Sequence, residues 1–167
     1  PAMEQEGQWG PRTTLKRLGE MEELVETTKK ECAKVLIGGK RPSGFNKGYF
    51  YEPTVFDDVD DNFTIMKTEP FGPLVPMLSF KSFDEVVERA NNNDLGLCSY
   101  IYTNSMEKAH KASELMETGC VAVNTPTVAI AEAPFGGIKQ TGYGREGGSM
   151  AIKDYLNIKY THLGLKT

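Results

Sequence analysis

Three groups of residues have the types and spacing to do chemistry. The first is Glu69-Pro70-Phe71-Gly72-Pro73. Pro70, Gly72 and Pro73 bar regular structure, so a stiff, shaped loop is expected. An ionised glutamate offers only acceptors, which suits the hydroxyl pair of a sugar. Phe71 presents a flat apolar face suited to an aromatic ring. The bland alternative is a loop with a solvated carboxylate and a phenyl group anchoring it to the core. The second group is Pro134-Phe135-Gly136-Gly137-Ile138-Lys139-Gln140-Thr141-Gly142-Tyr143-Gly144-Arg145-Glu146. Its glycines could cradle a phosphate, but they follow a loop where a dinucleotide-binding turn follows a strand. The alternative is a tightly folded loop whose glycines take positive φ while Phe135 lines something apolar.

The third group is Cys32, Cys98 and Cys120. A catalytic thiolate needs an activating charge or a helix N-terminus, together with partial exposure. Cys32 reads as late on a helix beside Glu31, where dipole and neighbour both disfavour the anion. Cys98 and Cys120 lie in apolar strand-like runs, where cysteine behaves as a small hydrophobe. No catalytic residue is therefore assigned. The cysteines are odd in number, far apart and accompanied only by His110 and His162, so neither a metal site nor a disulfide framework is expected.

The elements that position these residues follow from periodicity. Leu15, Leu18, Met21, Leu24 and Val25 recur at helical spacing within a helix from about Thr14 to Lys34. Lys34 to Gly39 reads as a buried strand, and Gly48 to Phe56 as a strand interrupted near Pro53. Leu74 to Phe80 is a third strand. Ser82 and Glu85 form a capping box for a helix over Phe83 to Asn92. Leu97 to Thr103 is a strand, Asn104 or Ser105 caps a helix to about Glu117, and Gly119 stops it. Cys120 to Asn124 is the next strand. Strand, helix, strand, helix, strand at this spacing predicts an α/β fold, a mainly parallel sheet flanked by helices. Regular structure stops from Thr125 to Gly148, and long ordered loops tend to be functional. The first dozen residues read as loop or tail, and Asp154 to Leu165 as a β-rich tail whose apolar residues need a partner surface.

Composition narrows the function classes. The chain has 167 residues, 19 Lys+Arg against 23 Asp+Glu, and is 39% hydrophobic. That length suits one ordinary domain. A net charge of −4 without a basic cluster argues against nucleic acid. No run approaches the ~18 apolar residues a membrane helix needs. Free cysteines and no signal peptide point to a reducing, cytoplasmic setting. The chain starts on Pro1, consistent with a trimmed or partial sequence.

The succession Glu69-Pro70-Phe71-Gly72-Pro73, the strand Leu97 to Thr103, Val123-Asn124, and then Pro134-Phe135-Gly136-Gly137 through Lys139, Gly142 and Gly144-Arg145-Glu146 resembles the aldehyde dehydrogenase superfamily. From about Gly10 to Leu165 the chain looks like the C-terminal third of such an enzyme. Ile152 to Tyr160 is similar to the succinate-semialdehyde dehydrogenase branch. The resemblance implies that 1–139 is part of the catalytic domain, that 140–156 packs on a cofactor-binding domain, and that 157–167 forms an oligomerisation strand and tail. It implies NAD or NADP as cofactor, with Glu69 on the nicotinamide-ribose hydroxyls and Phe71 positioning the nicotinamide ring. Phe135 would stand in the wall of the aldehyde tunnel, and Thr125 to Glu132 would select the substrate. The nucleophilic cysteine and the base glutamate of the family would precede Pro1. In the succinate-semialdehyde branch the selecting loop carries a serine for the distal carboxylate. Ala129 and Ile130 stand at the matching positions and cannot donate a side-chain hydrogen bond. A small hydroxyaldehyde such as lactaldehyde or glyceraldehyde is then a rival substrate. The expectation is an enzyme portion inactive alone, in a homo-oligomer. The alternative is a truncated, non-catalytic module that associates with partner subunits.

Overall fold

The computed structural model describes residues 10–45 and 47–165. The chain divides into two units, Pro1–Phe80 and Lys81–Thr167, and each is described by itself. The expected tail over the first dozen residues lies, for residues 1–9, outside the described part.

The first unit is built on helix α1, Leu15–Lys30. The Thr14 side chain accepts the Arg17 N–H at 3.1 Å and so caps its start. Leu18, Met21, Leu24, Val25 and Thr28 form its buried stripe, three and four residues apart as the periodicity predicts. Thr28 buries its hydroxyl without penalty, because it donates to the Leu24 carbonyl at 2.7 Å. The helix ends earlier than expected. The Cys32 N–H bonds Lys29 O at 3.1 Å and the Ala33 N–H bonds Thr28 O at 3.2 Å, with Cys32 left-handed at φ 76. This is a Schellman cap, in which the left-handed residue is usually glycine. Cys32 is thus beyond the helix and exposed, correcting its expected place within it. Cys32→Gly should raise stability by about 0.5–1 kcal/mol, the side-chain strain outweighing the extra freedom of the unfolded chain. Denaturant unfolding of the two proteins measures it.

Strands β1 (Lys34–Ile37), β2 (Thr54–Asp57) and β3 (Leu74–Pro76) form one sheet in that order. β1 and β2 are antiparallel, with an irregularity between Val35 and Ile37. β2 and β3 are parallel, Thr54 opposite Leu74 and Val55 opposite Val75. The aromatic run from Gly48 does not pair; only its end enters β2. Phe56, Leu74, Tyr51 and Ile65 meet the α1 stripe to form the core. A short helix that the sequence reading missed, α2 (Thr64–Lys67), lacks a side-chain cap of its own. Glu31 at the end of α1 supplies one, accepting the Thr64 N–H at 3.0 Å and its hydroxyl at 2.6 Å.

The second unit holds α3 (Phe83–Asn91), β4 (Leu95–Gly96), β5 (Cys98–Ile101), α4 (Met106–Leu115), β6 (Cys120–Val123) and β7 (Ile138–Lys139). Ser82 caps α3, accepting the Glu85 N–H at 3.2 Å. The return contact of the expected capping box is shifted, since Glu85 accepts from the Lys81 N–H at 2.8 Å. That bond, first among several, holds its carboxyl below the usual range. β5 and β6 are parallel and joined through α4, the arrangement expected of a strand–helix–strand unit. β4 and β7 are antiparallel. Parallel and antiparallel pairings are thus equally represented among the described residues, which corrects the expected mainly parallel sheet. β1 turns back to β2 through a loop with no crossover helix, and β7 returns to β4 out of the long loop after β6. Near the C-terminus Ala151–Tyr155 is a 3₁₀ turn, and 156–165 pairs with no strand among the described residues of this chain.

Candidate functional site

Glu69 lies on a loop secured at both ends. Upstream, α2 is tied to α1 through Glu31. Downstream, the Thr54 N–H donates to Pro73 O at 2.7 Å and the Leu74 N–H to Gly72 O at 2.9 Å. The loop therefore runs from the end of one short helix straight into β3, with little freedom between. Glu69 itself is exposed, and no described residue engages its carboxylate. With Pro70, Thr64, Thr68, Thr27, Leu24 and Arg17 it lines a groove of about 410 Å³. Phe71 has φ 29 and its ring is 65% exposed. It is therefore no core anchor, and the bland reading of this loop fails on that point. One face of the ring carries the Arg17 guanidinium, 5.6 Å from its centroid.

The Pro134 to Glu146 segment is folded on itself. Phe135 and Glu146 exchange two backbone hydrogen bonds of 2.7 Å. Gly142 and Gly144 take φ 119 and 85, as the tight-loop alternative requires. No helix opens at these glycines, so the phosphate-cradle alternative loses its helix dipole. Arg145 donates to the carbonyls of Gly137 at 2.9 Å and Gly144 at 2.7 Å, and its own N–H reaches Asp154 at 2.9 Å. Phe135 lines a cavity of about 360 Å³ with Leu97, Thr141, Tyr143, Arg145 and Tyr155. Ala129 and Ile130 do not line that cavity. They lie exposed earlier in the same loop, Ile130 at 51%.

The contacts made by several positioning residues were not readable from the sequence. The Lys139 ammonium, on a residue at φ 55, reaches Asn91 O at 2.7 Å, Asn93 O at 3.0 Å and the Glu117 carboxylate at 2.5 Å. The Asn91 side chain joins the ends of two helices, donating to Leu115 O at 2.8 Å and accepting the Glu117 N–H at 2.9 Å. Asn124, left-handed at φ 55, both donates to and accepts from the Thr103 backbone at 2.9 Å. Gly119 is no helix stop, because α4 ends at Leu115. Its role is proximity: a Cβ there would overlap the Gly136 carbonyl.

None of the cysteines has the setting of an activated nucleophile. Cys32 sits after a helix C-terminus. Burial, and then the neighbouring Cys120 sulfur, push the Cys98 thiol up. Cys120 donates to Gly136 O at 3.6 Å. No group of three or more His, Cys, Asp or Glu able to hold a metal exists among the described residues. No helix among them is long and apolar enough to cross a membrane.

Residues 1–161 match the sequence model of the aldehyde dehydrogenase family. The chain belongs to the aldehyde dehydrogenase family. It is 43% identical over 150 residues to retinaldehyde dehydrogenase 3 of Homo sapiens, covering 90% of this chain and 29% of that protein. It is 42% identical over 156 residues to the mitochondrial succinate-semialdehyde dehydrogenase of Arabidopsis thaliana, covering 93% and 29%. Among solved structures, the NAD+ complex of an aldehyde dehydrogenase from Bacillus cereus superposes with a TM-score of 0.93 at 42% identity, covering 98% of this chain and 33% of that one. The chain thus spans about a third or less of the aldehyde dehydrogenases it matches. Its α/β fold is that of the family.

Proposed function

We propose that this chain forms the C-terminal third of an NAD- or NADP-dependent aldehyde dehydrogenase that oxidises a small aldehyde to its acid. The observation that carries the reading is Glu69, an exposed carboxylate with no partner among the described residues, on a loop fixed at both ends, in a chain of this family. The donor chemistry fits the cofactor. A carboxylate accepts from both hydroxyls of a ribose diol, and the exposed Phe71 ring beside it offers a face for the nicotinamide. When bound, the dinucleotide accepts the hydride, and aldehyde, water and oxidised cofactor become acid, reduced cofactor and a proton. Phe135 walls the aldehyde's path and excludes water from its apolar part. The attacking thiolate and the water-activating carboxylate come from sequence beyond this chain, and residues 1–167 alone are inactive.

The relatives named above differ in the charge of the aldehydes their names carry. Ala129 and Ile130 favour the uncharged kind, because neither can donate to a distal carboxylate. A hydroxyaldehyde such as lactaldehyde or glyceraldehyde is therefore set ahead of succinate semialdehyde. Residues 1–139 belong to the catalytic domain in this reading, 140–156 pack on the cofactor domain, and 157–167 join neighbouring subunits. Ile158 and Tyr160, exposed at 102% and 84%, support association through this tail.

The test uses the full-length protein with a panel of aldehydes. Glu69→Gln should lower kcat/KM for the cofactor about 10- to 100-fold, the loss of charge-assisted hydrogen bonds. Folding should be unaffected, since no described residue engages the Glu69 carboxylate. Full activity in the variant, or no cofactor-dependent oxidation of any aldehyde by the parent, overturns the reading. Sedimentation of the same preparation as a strict monomer would remove the tail's role.

A further inference from the structure

The parallel register of β5 and β6 sets Cys98 directly opposite Cys120. Register partners in adjacent strands point to the same face, with their backbones about 4.8 Å apart. That spacing lies within the Cα separation of 4.4–6.8 Å, roughly, over which a disulfide closes. The Cys120 sulfur is also, after burial, the next cause that pushes the Cys98 thiol up. Both are half-buried, and neither is already in a disulfide. Cys32, exposed in its turn in the other unit, has no such neighbour. Within the second unit, the Cys120 S–H reaches Gly136 O, one residue from Phe135. The pair therefore lies directly under the loop that lines the cavity.

We propose that Cys98 and Cys120 are a redox-active dithiol, which a low-molecular-weight disulfide oxidises to an intramolecular bridge between β5 and β6. One thiol loses its proton to solvent and attacks a sulfur of the small disulfide. That S–S bond breaks, one thiolate leaves, and a mixed disulfide forms on the protein. The second protein thiolate then attacks the protein-side sulfur and expels the other small thiolate. Two protein thiols have been oxidised and one disulfide reduced to two thiols. Closure also removes the S–H donor from Gly136 O, so the oxidation state reaches the Phe135 loop through one carbonyl. The inference stands on the register of the two cysteines and is independent of the aldehyde reading.

The experiment treats the folded full-length protein with glutathione disulfide and maps its peptides without reduction. The expected result is a Cys98–Cys120 cross-linked peptide, lighter by two hydrogens than the sum of its parts and lost on adding dithiothreitol. Stable glutathione adducts on either residue, bridges to Cys32, or bridges only between chains overturn the proposal. A second measurement needs no substitution. Phenylarsine oxide, which bridges two close thiols, should block alkylation of Cys98 and Cys120 together and leave Cys32 reactive. Independent alkylation of the two in its presence equally overturns it.

Discussion

Phe56→Ala is expected to destabilise the first unit by about 3–5 kcal/mol. Phe56 is fully buried, sits on the central strand of its sheet, and packs in the cluster formed by α1, α2 and β3. Truncation loses the transfer free energy of the ring and leaves a cavity whose walls are pinned. Val25 and Leu18 cannot move inward without breaking α1, and the strand cannot shift because Met77 N–H bonds the Phe56 carbonyl at 2.9 Å. Relaxation should therefore recover little, placing the cost near the upper part of that range. Denaturant unfolding followed by a probe in the first unit measures it. A loss below about 1 kcal/mol would mean that the core seals the space, contrary to the packing described. The consequence reaches the candidate site, because β2 and α2 hold the two ends of the Glu69 loop.

Gly119→Ala is expected to lower kcat/KM of the full-length enzyme about 100-fold or more while leaving cofactor affinity nearly unchanged. A Cβ at this position overlaps the Gly136 carbonyl and also crowds Gly137. Both neighbours are backbone, so no side chain can swing aside. The segment bearing Phe135 must move, and with Phe135 in its proposed place along the aldehyde's path, a displacement of about 1 Å costs on the order of 100-fold. Glu69, the proposed ribose ligand, is in the other unit, so cofactor binding is a readout that a general loss of folding would not spare. Gly19→Ala is the matched control: it is helical, with open space around its missing Cβ, and should stabilise by about 0.5–1 kcal/mol. Equal behaviour of the two variants would contradict the close-approach role of Gly119.

Much of this arrangement was legible from local rules. The apolar spacing in α1 marks a stripe, and the chain buries that same stripe. Ser82 and Ser105 were readable as caps because a cap needs only its own next turn, and both accept the N–H three residues on. What escaped the sequence are features set by distant partners. The start of α2 is satisfied by Glu31, 33 residues away. Gly119 looked like a helix stop because a glycine after a helix usually is one, while its actual reason lies at Gly136. The end of α1 was misplaced because a cysteine, and not a glycine, takes the left-handed position. In the candidate site, Glu69, Phe71 and Phe135 were found as residue types on stiff loops. The contacts that hold those loops leave no trace in spacing or composition.

The clamp made by Lys139 also bears on how the second unit assembles. β5, α4 and β6 are consecutive, so their pairing closes only a short loop and can form early. The contacts of Lys139 with Asn91 and Asn93 span 48 and 46 residues, and β7 joins β4 across a similar stretch. Such closures come late, after the local frame exists to receive them. Their loss would then fall mainly on the rate of unfolding and leave the folding rate nearly untouched. The ammonium is in this sense a latch on lifetime, keeping the Phe135 loop shut between rare openings of an already folded frame.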